Sequence, residues 1–210
     1  MPARDIIFEN GNIYHIFNKT IDSKKIFDAH NTCNIFLEIA EYYRSTKSIT
    51  SYSIYRRLDS CKKNKIIECI HLKSYYKVQV HAYCLMPNHF HFLIQQKLDC
   101  GVQKYMSDIV NSFTRYYNIL LHRKGPLFIT QFKCVEVRSD EQLMHVSRYI
   151  HLNPYSSHIV KSKSELVYFE PSSYRYYISP ISSEFVEVDP VLRLFGRKRE
   201  NYEKFGKVYD

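Results

Sequence analysis

The sequence predicts an α+β fold: a ferredoxin- or RRM-like sandwich with a central antiparallel sheet, helices packed on it and an irregular C-terminal extension. Three observations point there. Stretches that alternate apolar and polar residues, as half-buried strands do, are separated by stretches with apolar residues three and four apart, as on one face of a helix. Their order is strand, helix, hairpin, helix, strand, helix, which pairs strands non-sequentially and sets helices on one face of the sheet. Finally, 210 residues are enough for one sizeable core with an appendage, but not for two large domains.

Each element has its own signal. GNIYHIFNK, residues 11–19, alternates around β-branched and aromatic residues as a first strand. Residues 30–47 place Cys33, Ile35, Phe36, Ile39, Tyr42 and Tyr43 on one helix face, stopped by polar residues 45–48. Residues 48–68 carry no clear pattern, and SCKKNKIIE at 60–68 reads as a basic loop or helix edge. YYKVQVHAYCL (75–85) and HFHFLIQQ (89–96) are strands joined through Met86-Pro87-Asn88, a hairpin connection. Residues 102–124 form the most regular helical pattern, ended by Gly125-Pro126. QFKCVEVR (131–138) alternates as a strand. Ser139 then caps a helix, with Gln142 in the capping-box position, and Pro154 predicts its end at or near Asn153. Beyond 160, serines, tyrosines, Pro171, Pro180 and Pro190 predict an irregular wrap with a basic tail. We therefore divide the chain into a main domain at 1–160 and an extension at 161–210.

A formal charge of +9, a 45% hydrophobic fraction and 19 tyrosines exclude a disordered acidic chain and favour a polyanionic partner. Nucleic acid fits better than an anionic membrane, because the basic residues are interleaved with aromatics (SFTRYYN, SSYRYY) rather than set along an amphipathic anchor. The six cysteines contain no CxxC, and Cys33, Cys69 and Cys84 sit in apolar runs, so buried, reduced thiols in a cytoplasmic protein are expected. MPARDIIFENG lacks a signal-peptide core, and no stretch reaches the roughly 20 apolar residues of a membrane span.

The chemistry centres on HAYCLMPNHFHFLI, residues 81–94. On a strand, His89 and His91 point to one face while Phe90 and Phe92 point to the other. Tyr149 and Asn153, at i and i+4, share a face of the last helix. Two imidazoles and an amide oxygen make a three-ligand metal site with open positions, where a phosphate can be polarised. A tyrosine hydroxyl beside that phosphate can attack it and store the bond energy in a covalent adduct. By residue type alone, His89 and His91 read more readily as satisfied sheet histidines, and Asn153 equally as a plain helix stop. Tyr116 and Tyr117 could compete as nucleophiles, but they continue the apolar stripe and read as core or DNA-facing. His15, His81, His145 and His151 carry no assignment, and His151 should face away from Tyr149.

YCLMPNHFHFLI resembles the HUH motif (His, bulky apolar, His) of single-tyrosine transposases, and SRYIHLNP resembles the tyrosine helix of their REP-associated, transposase-like branch. IYHIFNK, KKIF, VNSFTRYYN, GPLFITQFK and PSSYRYY follow that branch in order, so the resemblance spans roughly residues 8–178. It implies that His89, His91 and Asn153 hold Mg2+ or Mn2+. Imidazole ligands sit better with manganese than with magnesium. It also implies that Tyr149 attacks single-stranded DNA to leave a 5′-phosphotyrosine and a free 3′-hydroxyl at hairpin-flanked sites, without ATP. The expected partner is single-stranded or hairpin DNA, held in part by Lys19, Arg115, Lys133 and Arg148. No membrane is implied, the protein would act in the cytoplasm at the nucleoid, and a homodimer is compatible. The chain departs from the branch at Asn18-Lys19-Thr20, at residues 128–133 and at residues 155–158, which bear on DNA recognition rather than on chemistry. The rival functional readings are a non-catalytic nucleic-acid-binding regulator derived from such a transposase, and a metal hydrolase that uses water and makes no adduct.

Overall fold

Alternation in the sequence produces four strands: β1 (Ile13–Lys19), β2 (Val78–Met86), β3 (His89–Gln96) and β4 (Lys133–Val137). A computed structural model, which describes residues 6–207, joins them in one antiparallel sheet of order β2-β3-β1-β4. The register sets Lys19 opposite His89, and Phe17 opposite both His91 and Lys133. The Pro87-Asn88 turn between β2 and β3 is tied to the chain after β1: Thr20 N–H donates to the Asn88 carbonyl at 2.9 Å, and the N–H groups of Ile26 and Phe27 donate to the Pro87 carbonyl.

The two faces follow from the pleat. Phe90 and Phe92 are fully buried and pack against Phe36 of α1 (His30–Tyr43), at 5.2 and 6.2 Å between ring centroids. Phe36 in turn meets Phe113 of α4 (Gly101–Leu120) edge-on at 5.0 Å. Thus α1 and α4 cover one face, while α5 (Asp140–Ser156) takes the opposite face, so the helices do not all lie on one side. The start of α4 comes so close to β2 that a Cβ at Gly101 would lie 2.2 Å from the Lys77 carbonyl oxygen; only glycine fits there.

Several local expectations are corrected. The 48–68 stretch is helical: α2 (Tyr52–Tyr55) is capped by Ser51, and α3 (Ser60–Ile70) by Asp59, whose carboxylate accepts from Lys62 N–H. Only Ile70 of α3 is buried, so there is no apolar stripe to reveal it, and Cys69 is exposed while Cys33 and Cys84 are buried. The long helix α4 stops at Leu120 because His122 adopts a positive φ of 49° and the Arg123 N–H turns back to the Asn118 carbonyl. Helix α5 runs through Pro154 to Ser156. The ring removes one N–H, but the Asn153 and Pro154 carbonyls still accept from Ser157 and Ile159, so the last turn closes around it.

Beyond 160, short helices α6 (Tyr174–Ile178), α7 (Asp189–Leu192) and α8 (Arg199–Lys207) are linked by irregular chain. This segment lies along the outer edge of β2: Leu85 N–H donates to Pro171, Ser173 N–H to Tyr83, and Glu187 N–H to Val80. It thereby satisfies backbone groups that an open edge would expose. The buried Arg44 ties it to α1 by donating to the carbonyls of Glu184 and Phe185. Among the described residues, no helix is long and apolar enough to cross a membrane.

Candidate active site

His89 and His91 share the sheet face that α5 covers, as the period of a strand requires. Their rings lie 5.0 Å apart, centroid to centroid. The hydrogen bonds behind them fix which nitrogen carries the proton. Asn88 donates its amide N–H to the Ser23 carbonyl, which turns Asn88 Oδ1 toward His89 Nδ1 at 2.7 Å. A carbonyl oxygen only accepts, so His89 is protonated at Nδ1 and its Nε2 lone pair is open. His91 Nδ1 lies 2.9 Å from His15 Nε2, and His91 Nε2 lies 3.5 Å from Asn153 Nδ2. Asn153 Oδ1 already accepts from Ser157 Oγ, so its amide N–H faces His91 Nε2. That nitrogen is the bare one, and His91 Nδ1–H donates to His15. Both imidazoles therefore present an unprotonated Nε2, the form in which histidine ligates a metal.

Electrostatics support the same state. Burial pushes His91 down from 6.5 to about 3, assisted by His15 and His89 nearby. Burial alone pushes His15 to about 4, and burial with the Lys19 charge lowers His89. All three are neutral at pH 7, as ligands and their partners must be.

On α5, Tyr149 and Asn153 both come down on His91. The Tyr149 ring meets His91 edge-on at 5.6 Å and His15 at 5.8 Å. It remains 53% exposed, and its hydroxyl makes no hydrogen bond among the described residues. Asn153, only 7% exposed, lies one turn deeper. His151 faces the other way: Nδ1 meets the Tyr202 hydroxyl at 2.6 Å and Nε2 the Ser173 hydroxyl at 2.7 Å. Tyr116 and Tyr117 pack around Phe113 on α4, with the sheet between them and the histidines.

The donor set fits a divalent ion. Among the described residues, no three His, Cys, Asp or Glu side chains are grouped as a metal site, and His15 does not complete one because its Nε2 is engaged behind His91. The Asn153 amide is the group placed to serve as a third donor. Its 3.5 Å separation from His91 Nε2 is close to the roughly 3 Å between neighbouring ligands of an octahedral ion with bonds near 2.1 Å. Turning Oδ1 inward gives up only two long contacts, the 3.4 Å one from Ser157 and the 3.5 Å one from Asn153 Nδ2 to His91 Nε2.

The four basic residues expected to touch DNA do not form one surface. Lys19 is exposed beside His89, and Lys133 is exposed on the same face. Between them lies half-buried Phe17, stacked on His91 at 5.7 Å, an aromatic that strand periodicity alone does not single out. Arg148 is turned toward α8, its guanidinium 5.3 Å from the Phe205 ring. Arg115, on α4, is on the other side of the sheet. His15 and Asn88 were missed for a similar reason: they join the site through a diagonal cross-strand contact and a turn, which need the register to be seen.

Comparison with known proteins adds an independent line. By structure the chain is similar to a REP-associated tyrosine transposase solved bound to a REP hairpin, with a TM-score of 0.59 over 90% of this chain and 93% of that one. Identity is 11%, so this likeness establishes the fold. No curated protein sequence matches significantly. The family described as "Transposase IS200 like" matches residues 58–153, a span that contains His89, His91, Tyr149 and Asn153. Over that segment the chain is similar to the IS200-like transposase family.

Proposed function

We propose that the protein is a metal-dependent endonuclease and strand transferase for single-stranded DNA, of the REP-associated branch, with Tyr149 as nucleophile. The observation that carries this reading is the convergence of Tyr149 and Asn153 from α5 on His91, whose neighbour on the same strand face, His89, lies 5.0 Å away.

In this reading Tyr149 Oη bonds to phosphorus, the P–O3′ bond breaks, and its electron pair leaves with the 3′-oxygen. The tyrosine proton passes to water, to which the half-exposed ring is open, and a proton from water completes the 3′-hydroxyl. The product is a 5′-phosphotyrosine that keeps the bond energy for rejoining, so no nucleotide cofactor is consumed. His89 and His91 through Nε2, with Asn153 through Oδ1, would hold Mg2+ or Mn2+, which when bound supplies Lewis-acid polarisation of the scissile phosphate. Asn88 and His15 keep the two imidazoles in the required tautomer. Lys19 and Lys133 meet neighbouring phosphates, and Phe17 offers a ring on which a base can stack. Hairpin DNA is the proposed partner, and the cytoplasm, at the nucleoid, the proposed place of action.

The test incubates the full chain with labelled single-stranded hairpin DNA and Mn2+ or Mg2+, followed by a denaturing protein gel. A metal-dependent shifted band that disappears in Tyr149→Phe and in His89→Ala/His91→Ala is expected. An adduct that survives Tyr149→Phe overturns the assignment of the nucleophile, and cleavage without any adduct points to water. Binding without cleavage across many hairpins favours a regulator.

A further inference from the structure

A second concavity lies across the sheet from Tyr149. A cavity of about 620 Å3 opens between the end of α1, α2 and α4, within the range of roughly 300–1,000 Å3 typical of ligand clefts. Its rim carries three exposed arginines: Arg56 and Arg57 just after α2, and Arg115 on α4. None of the three makes a salt bridge or side-chain hydrogen bond among the described residues. The acid in the lining, Asp108, is already engaged by Lys77 at 2.7 Å. The walls are Tyr43 and Tyr116, with Ile119 left 67% exposed at the mouth. Three uncompensated guanidiniums around an aromatic and apolar hollow suit a group that is anionic at one end and planar and apolar at the other.

We propose that this cavity is a second binding site for single-stranded DNA, which takes one unstacked nucleotide with its phosphate on Arg56, Arg57 and Arg115 and its base against Tyr43, Tyr116 and Ile119. The choice of DNA rests on the strand-transferase reading; the chemistry of a phosphate joined to a planar ring rests on the cavity. Guanidinium forks match phosphate oxygens in pairs, and stacking on tyrosine tolerates any base. A concave site walled by tyrosines does not suit a flat membrane surface. Because α4 and α1 lie on the Phe90 and Phe92 face, a strand cut at Tyr149 must pass the sheet edge to reach this cavity. The nucleotide held here therefore lies away from the scissile phosphate and anchors the strand rather than reacting.

The experiment is fluorescence anisotropy of the full chain with a labelled oligothymidylate and with an abasic strand of the same length, across a salt series. Arg56→Ala/Arg57→Ala/Arg115→Ala, all at exposed positions, should weaken binding and reduce the salt slope by about 0.7, the value for one lost single-strand phosphate. Tyr116→Leu should keep the slope but reduce the preference for base-bearing over abasic strand about fivefold or more, the effect of roughly 1 kcal/mol of stacking. Wild-type affinity and slope in the triple variant overturn the proposal, as does tighter binding of an RNA oligomer of the same sequence. Adduct formation with hairpin DNA, scored on the same wild-type sample, reports on Tyr149 separately.

Discussion

Removing His15 tests whether the site is organised by its supporting hydrogen bonds. His15 Nε2 lies 2.9 Å from His91 Nδ1, and His91 is 4% exposed, so water cannot readily replace the lost partner in His15→Ala. An unpaired buried donor costs about 1–3 kcal/mol, and nothing then favours the tautomer that leaves His91 Nε2 bare. Loss of such a partner typically weakens metal binding roughly 10–100-fold, equivalent to about 1.4–2.7 kcal/mol. Titration calorimetry with Mn2+, or the loss of its free-ion paramagnetic signal, should show a dissociation constant raised by that factor in His15→Ala. His15→Gln, which supplies an acceptor oxygen, should recover part of the loss, and circular dichroism should show both variants folded. A purely structural role predicts lower stability with unchanged Mn2+ affinity. That result, or a His15→Gln variant no better than alanine, would refute the argument.

Acid should destabilise the fold through its buried histidines. His15, His91 and His151 are held near 4, 3 and 3 by burial, whereas in the unfolded chain they take up protons near 6.5. Stability from this source is complete above about 6.5 and falls as the pH drops below it, by up to about 4 kcal/mol per unit for the three groups; urea unfolding at pH 7, 6 and 5 should show the decline, and a flat profile contradicts neutral burial. Tyr202→Phe removes the hydroxyl that joins His151 to Ser147 at 2.6 and 3.3 Å and should cost about 1–3 kcal/mol in chemical denaturation, loosening the back of the Tyr149 helix. Gly101→Ala drives a Cβ onto the Lys77 carbonyl; because backbone must shift, a loss of about 1–3 kcal/mol is expected, and an unchanged melting midpoint would count against the close approach.

The sequence by itself determined the elements whose signals are local. Period-2 alternation marked the strands and put His89 and His91 on one face, the heptad-like stripe of residues 102–121 marked the longest helix, and i to i+4 spacing placed Tyr149 with Asn153. These regularities come from backbone geometry and need no knowledge of neighbours. It went wrong where a signal was weak or a rule has exceptions. Helix α3 buries almost nothing, so its periodicity is faint. Pro154 was read as a stop, although its carbonyl and that of Asn153 keep their hydrogen bonds. Only the tertiary structure decided what stands beside what. His15 is 76 positions from His91 in the chain and reaches it through strand register; Asn88 acts through the way a turn packs on Ser23. Arg115 and Lys133 look alike in sequence, yet the sheet lies between them, because a strand's partners and a helix's face are set by the packing of the whole core rather than by the residues next in line.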